Sequence, residues 1–189
     1  MSSQIATSDK TIKGCRCHQG YGLPILKDII RKFAANQYAM SNIRITKQFR
    51  FETGHALYGY DGACKNVHGH SYKLSVTVIG KPIEDRNHVK FGMVIDFSDL
   101  KKIVKEEVVS RFDHATVFNK TTPHVELARE LEERGHDVIL VEYQPTSENM
   151  VIDFAHLIKA RLPENIELHS LRLQETDTSF AEWFASDNL

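Results

Sequence analysis

One run of strictly alternating residues limits what this chain can fold into more than any other feature. Residues 70–80, "HSYKLSVTVIG", carry apolar side chains at every second position, namely Tyr72, Leu74, Val76 and Val78. Successive side chains of a strand point to opposite faces, so this alternation predicts a strand with one buried face. Residues 43–51, "IRITKQFRF", alternate in the same way and predict an earlier strand.

Two later segments change to the hydrophobic period of a helix. In residues 96–112 the apolar side chains fall on one helical stripe, with Asp96 or Ser98 available as the N-terminal cap. A second apolar stripe follows "PTS", where Thr146 or Ser147 is the expected cap. These patterns predict two amphipathic helices in the middle of the chain.

Two more strands are predicted towards the C-terminus, at residues 166–176 and 179–185, joined by a tight turn. The order is therefore β-β-α-α-β-β, which is typical of an α+β domain whose four-stranded antiparallel sheet carries two helices on one face. Residues 137–143 are a short additional strand candidate. The charged segment 116–142 has the pattern of a helical insertion.

Residues 1–39 differ from the rest of the chain. They are rich in basic side chains, and Met40 directly precedes the first strong strand pattern. We expect an N-terminal extension over 1–39, disordered or loosely docked or the product of a misplaced start, and a folded domain over 40–189. Within the extension, "LPILKDIIRKFAANQYAM" has the apolar spacing of a short amphipathic helix.

Charge and cysteine content narrow the class of protein. The net charge of −1 provides no global basic field for nucleic acid. No apolar run approaches the roughly 18–20 residues that span a bilayer, so we expect no membrane partner. The three cysteines are an odd number without a disulfide pattern, which favours a reduced, cytoplasmic chain.

Histidines at the start of the alternating run suggest a metal site. His68 and His70 stand at positions i and i+2, so on a strand they share one face. If the first two strands form a hairpin, His55 comes close to both. Three histidines without a fourth protein ligand are typical of catalytic zinc, with one position open. Cys64 could instead be the fourth ligand of a closed structural site, and the spacing does not decide between them.

Two acidic positions complete the candidate chemistry. Asp113 and His114 are adjacent in sequence, and a carboxylate beside an imidazole can fix its tautomer and raise its basicity. The alternative is a polar helix C-terminus. Glu175, at the end of a predicted strand, could accept two hydrogen bonds from the N–H/NH₂ edge of a pterin-like ring.

Taken in chain order, these motifs resemble the 6-pyruvoyl-tetrahydropterin synthase family. More narrowly, they resemble its bacterial branch, the 6-carboxy-5,6,7,8-tetrahydropterin synthases of queuosine biosynthesis. The resemblance covers about residues 42–185 and is carried by the following set: His55, Cys64, His68-Gly-His70, Asp113-His114, "PTSE" from Pro145, and Glu175. The three residues between Cys64 and the His-Gly-His motif favour the carboxy branch.

The resemblance implies a tunnelling fold (T-fold), in which three subunits close a barrel and two trimers form a hexamer with active sites at subunit interfaces. It implies Zn²⁺ on His55, His68 and His70. The residues that it implies for catalysis and pterin binding are Cys64, Asp113 and His114 for proton transfer, Glu175 as pterin anchor, and Thr146 near the pterin.

The implied reaction converts 7,8-dihydroneopterin triphosphate to 6-carboxy-5,6,7,8-tetrahydropterin, with loss of acetaldehyde and triphosphate. Three alternatives stay open. The product could be the 6-pyruvoyl pterin, the zinc could serve a different hydrolase through a bound hydroxide, or the protein could be a non-catalytic zinc-binding T-fold protein with Cys64 on the metal.

Overall fold

The computed structural model describes residues 26–32 and 41–188. The chain divides into two units, Met1–Tyr38 and Ala39–Leu189. In the first unit, residues 26–32 form helix α1, within the segment for which the sequence predicts an amphipathic helix. The other predictions for residues 1–39 lie outside the described residues. None of the described helices combines the length and apolar character that a bilayer span requires.

The second unit contains six strands and three further helices in its described part. The strands are β1 (Ile43–His55), β2 (His68–Gly80), β3 (Thr116–Asn119), β4 (Val138–Val141), β5 (Ile166–Gln174) and β6 (Phe180–Phe184). Helix α2 begins as an α-helix at Phe97–Val104, continues as a π-helix at Lys105–Val109 and ends as an α-helix at Ser110–Phe112. The other two helices are α3 (His124–Glu133) and α4 (Ser147–Lys159).

The four strands of the β-β-α-α-β-β pattern are confirmed as antiparallel neighbours in the order β1-β2-β5-β6. The prediction of a four-stranded sheet is wrong, because the described residues form a sheet of six strands in the order β4-β3-β1-β2-β5-β6. Strands β3 and β4 come from the 116–142 segment and pair in parallel, with helix α3 between them. The helical insertion is thus a β-α-β unit, and the fold is α+β with a mixed sheet.

A close approach of backbones allows the extra strands to join the sheet. β3 pairs with β1 at Gly54 and His55, and the Gly54 amide donates to Ala115 O at 2.9 Å. A Cβ on Gly54 would lie 3.1 Å from Thr116 Oγ1, tighter than ordinary contact. The absence of a side chain at this position therefore lets the insertion pack beside the end of β1.

The apolar core lies between one face of the sheet and helices α2 and α4. On that face Phe51 is directly opposite Tyr72, and Phe49 is opposite Leu74. Helix residues such as Phe154 join the same buried cluster. The two predicted caps are present, since Asp96 accepts a hydrogen bond from the Ser98 amide and Thr146 from the Asn149 amide. Both helices therefore lie where their apolar stripes predict.

Candidate metal centre and its pocket

The three histidines continue the buried row of the β1–β2 hairpin to its end. His55 lies directly opposite His68, and Thr53 lies opposite His70. Because side chains alternate along each strand, all three imidazoles are on the core face. Their ring centroids are 4.5–5.2 Å apart. The hairpin register alone therefore brings together residues that are up to 15 positions apart in the chain.

Backbone carbonyls orient two of the rings. His55 Nδ1 lies 2.7 Å from Pro145 O, and His68 Nδ1 lies 2.8 Å from Asn66 O, so each Nδ1 carries the proton and donates it. The lone pair of each ring is then on Nε2. The Nε2 atoms of His55, His68 and His70 are all buried and have no hydrogen-bond partner. Such second contacts are what fix the tautomer of metal-bound histidine in proteins.

This arrangement fits a bound metal ion. One ligand nitrogen from each of the three histidines lies within 4.8 Å of the other two. Burial lowers the pKa of His55, against the opposing effect of its hydrogen bond to Pro145, and burial also lowers the pKa of His70. A lowered pKa favours the neutral imidazole, which is the form that binds metal. Three unpartnered nitrogens facing one another can therefore hold a metal.

A pocket of about 340 Å³ opens beside His55. It brings together Cys64, Glu175 and Thr146, which the sequence predicts at the site. Cys64 is a free thiol of intermediate exposure. Among residues 26–32 and 41–188, the cluster with metal-ligand spacing contains the three histidines and does not include Cys64.

The carboxylate of Glu175 faces the histidines. Its Oε1 lies 3.7 Å from His55 Nε2 and 3.7 Å from His70 Nε2, and it accepts a hydrogen bond of 3.0 Å from the Tyr72 hydroxyl. Burial raises the pKa of Tyr72, and the nearby Glu175 raises it further, so the phenol stays protonated and donates. Glu175 therefore lies next to the imidazoles and lines the same pocket as His55.

Sequence reasoning placed Tyr72 in the core and missed this contact. The available signal was a hydroxyl-bearing aromatic residue on the same strand face as the histidines, two positions after His70 and four after His68. A buried tyrosine usually has a hydrogen-bond partner for its hydroxyl. That rule predicts a partner near the histidines, although it does not identify Glu175.

His114, which follows Asp113 in the chain, lines a different pocket of about 270 Å³, together with Glu52 and His70. Asp113 Oδ1 accepts a hydrogen bond of 2.9 Å from the Glu52 amide, and it is 3.8 Å from His114 Nε2, beyond hydrogen-bond range. His114 has a positive φ of 63°, and its side chain is 77% exposed. Within the described chain, the pair therefore does not line the pocket of Cys64.

The chain is similar in sequence to proteins of one known family. The family model described as 6-pyruvoyl tetrahydropterin synthase matches residues 44–185. The 6-carboxy-5,6,7,8-tetrahydropterin synthase of Haemophilus influenzae is 38% identical over 143 residues, covering 74% of this chain and 97% of the relative. The enzyme of the same name from Rickettsia typhi is 30% identical over 143 residues, covering 74% of this chain and 99% of the relative.

Solved structures agree in fold. The 6-pyruvoyl tetrahydropterin synthase of Caenorhabditis elegans superposes with a TM-score of 0.56 at 21% identity, covering 78% of this chain and 98% of that one. At this identity the likeness concerns the fold alone. The family match spans both the histidine cluster and the pocket, and it agrees with the motif order in the sequence. The chain belongs to the 6-pyruvoyl tetrahydropterin synthase family.

Proposed function

We propose that this protein converts 7,8-dihydroneopterin triphosphate to 6-carboxy-5,6,7,8-tetrahydropterin, with release of acetaldehyde and triphosphate. Its curated relatives at 38% and 30% identity carry the name of that activity. The observation that carries the proposal is the convergence of three unpartnered histidine nitrogens next to a pocket that also contains Cys64 and Glu175. A pocket of about 340 Å³ is at the small end of the range for small-molecule sites, roughly 300–1,000 Å³.

His55, His68 and His70 would hold the metal, which we propose to be zinc because all-imidazole ligation suits zinc better than magnesium or calcium. Bound there, zinc would supply Lewis acidity that lowers the pKa of a side-chain hydroxyl of the substrate. The protein's own contribution is orientation. Pro145 O and Asn66 O hold two of the rings in the tautomer that leaves Nε2 free.

Glu175 would bind the pterin. Its carboxylate can accept hydrogen bonds from the adjacent N–H and NH₂ groups of the ring, which would orient the side chain of the substrate towards the histidines. Thr146 lines the same pocket, but its hydroxyl accepts the helix-capping hydrogen bond from Asn149 at 3.4 Å. We therefore assign Thr146 a role in shaping the pocket.

Cys64 and His114 would move protons on the substrate side chain. Cys64 lies in the pocket, where its thiolate would act as a base. His114 would act as a second acid or base. Two hydrogen bonds to the backbone of Glu52 would hold its turn in place: the His114 amide donates to Glu52 O, and the Asp113 carboxylate accepts from the Glu52 amide. Asp113 would therefore position His114 through the backbone.

We propose that the T-fold oligomer of the family completes the site. His114 is exposed and lies outside the Cys64 pocket of its own chain, which fits active sites built from more than one subunit. In the described part of the chain, β3 pairs with β1 only at Gly54 and His55, so most of the outer edge of β1 is open to a neighbouring strand. A trimer or hexamer in the cytoplasm is part of this proposal.

The proposal is tested by incubating the zinc-loaded protein with 7,8-dihydroneopterin triphosphate and identifying the products by mass spectrometry. We expect the carboxy pterin, together with acetaldehyde and triphosphate. A pyruvoyl pterin without acetaldehyde would assign the other branch of the family, and the absence of both products would refute the proposal. Cys64→Ala should lose nearly all activity while keeping its zinc. If the protein were a zinc-hydroxide hydrolase, the same substitution would leave most of the activity intact.

A further inference from the structure

We propose that Tyr72 positions the pterin-binding carboxylate, so that its hydroxyl sets the affinity of the site for the pterin ring. The inference rests on the proposed function, because it takes Glu175 as the pterin anchor. Tyr72 donates a hydrogen bond to Glu175, and its ring lies against the rings of His55 and His70. It is a positioning residue, since it acts on the ligand through Glu175.

The tyrosine ring is held rigidly in the core. Tyr72 is fully buried, at 0% exposure. Its ring stacks on Phe51 with a centroid distance of 5.6 Å and an interplanar angle of 18°. The rings of His70 and His55 are arranged edge-to-face with the tyrosine ring, at centroid distances of 5.6 and 6.3 Å. With three neighbours fixing the ring, the hydroxyl has one well-defined position.

Glu175 needs such an external restraint. It follows the last residue of β5, Gln174, and its amide donates to Ser179 O at 3.0 Å, which fixes the backbone only. The side chain is flexible and 25% exposed. In the part of the chain that the structure describes, the one hydrogen bond to its carboxylate comes from the Tyr72 hydroxyl, at 3.0 Å. Tyr72 is therefore what orients the carboxylate.

The orientation matters because of where the carboxylate lies. The oxygen that Tyr72 binds, Oε1, is the one that lies 3.7 Å from His55 Nε2 and from His70 Nε2. Pinning Oε1 on the histidine side leaves Oε2 free to accept from the pterin. Without the phenol, the carboxylate would sample other rotamers, and ordering it would then cost binding free energy each time a pterin binds.

Tyr72→Phe tests this, because it removes one oxygen and keeps the ring packing. We expect the KM for 7,8-dihydroneopterin triphosphate to rise roughly 10-fold, which corresponds to the upper end of the cost of ordering one side chain on binding. The kcat and the amount of bound metal should stay within about twofold of the wild-type values. The matched control is Tyr143→Phe, which removes a 2.7 Å hydrogen bond to Asp153 from a partly buried tyrosine outside the pocket lining.

A double-mutant cycle separates positioning from a general loss of stability. In the Glu175→Ala background, Tyr72→Phe should change the KM by less than about twofold, because the group that it positions is gone. The inference is refuted if Tyr72→Phe alone leaves the KM within twofold of wild type, if its effect persists without Glu175, or if Tyr143→Phe raises the KM equally.

A binding measurement distinguishes failure of this inference from failure of the proposed function. Affinity for 7,8-dihydroneopterin, followed by fluorescence titration, does not require turnover. A wild-type protein that binds this pterin but forms no product refutes the proposed function and leaves the Tyr72 comparison intact, with the same 10-fold loss expected. A wild-type protein that does not bind the pterin refutes both.

Discussion

Metal removal should destabilise this protein measurably, and the structure indicates by how much. Three buried Nε2 atoms have no hydrogen-bond partner. An unsatisfied buried polar group costs about 1–3 kcal/mol, so the metal-free cluster carries roughly 3–9 kcal/mol of unfavourable free energy that a metal can relieve. Zinc at 100 times its dissociation constant would stabilise the folded state by about 2.7 kcal/mol.

The assay is thermal unfolding with zinc and with a chelator. For a domain of this size, each kcal/mol shifts Tm by about 2–4 °C, so we expect zinc to raise Tm by roughly 5–10 °C. His70→Ala should lose most of that shift, whereas His156→Ala, an exposed position on α4, should keep it. Equal Tm values with zinc and chelator, or an undiminished shift in His70→Ala, would refute the assignment of the cluster as a metal site.

Three further substitutions test the packing that positions the site. Asp113→Ala removes the acceptor of the Glu52 amide and should lower the free energy of unfolding by about 1–2 kcal/mol in urea titration. Gly54→Ala places a Cβ 3.1 Å from Thr116 Oγ1, so we expect increased amide hydrogen exchange in β3. Phe154→Ala empties a fully buried site between two aromatic rings and should cost about 3–5 kcal/mol in the same urea titration.

Two of these substitutions have a matched control variant, and the third has a defined contrary outcome. Asp113→Asn keeps an acceptor oxygen, so a loss as large as that of Asp113→Ala would contradict the hydrogen-bond account. Unchanged exchange in β3 of Gly54→Ala would show that Thr116 can move aside without cost. Ile152→Ala lies on the same helix as Phe154 but is 41% exposed, and it should cost about 0.5 kcal/mol or less.

Hydrophobic periodicity predicted the long elements because burial determines them directly. The alternation around Tyr72 and the helical stripe ending at Phe112 reflect two layers that face one core. It predicted β4 as a strand candidate at residues 137–143, but it did not predict β3, and it placed neither strand in the sheet. Each has only four residues, and their parallel pairing depends on contacts between distant segments rather than on any local pattern.

The site shows the same division between local and long-range information. His55, His68 and His70 could be grouped from sequence because a hairpin register brings them to one face. The contact of Asp113 with the Glu52 amide, and that of Tyr72 with Glu175, span 61 and 103 residues. Neither contact could be predicted from sequence spacing, because each depends on how the C-terminal end of α2 and the end of β5 pack against the hairpin.

X-ray absorption spectroscopy of the zinc-loaded protein tests the central claim most directly, since it identifies the atoms bound to the metal. We predict three imidazole nitrogens at about 2.0–2.1 Å, with an oxygen in the remaining position and no sulfur. Cys64→Ala should give the same spectrum as wild type. A sulfur ligand at about 2.3 Å that disappears in Cys64→Ala would contradict the account, because it would place the thiol on the metal.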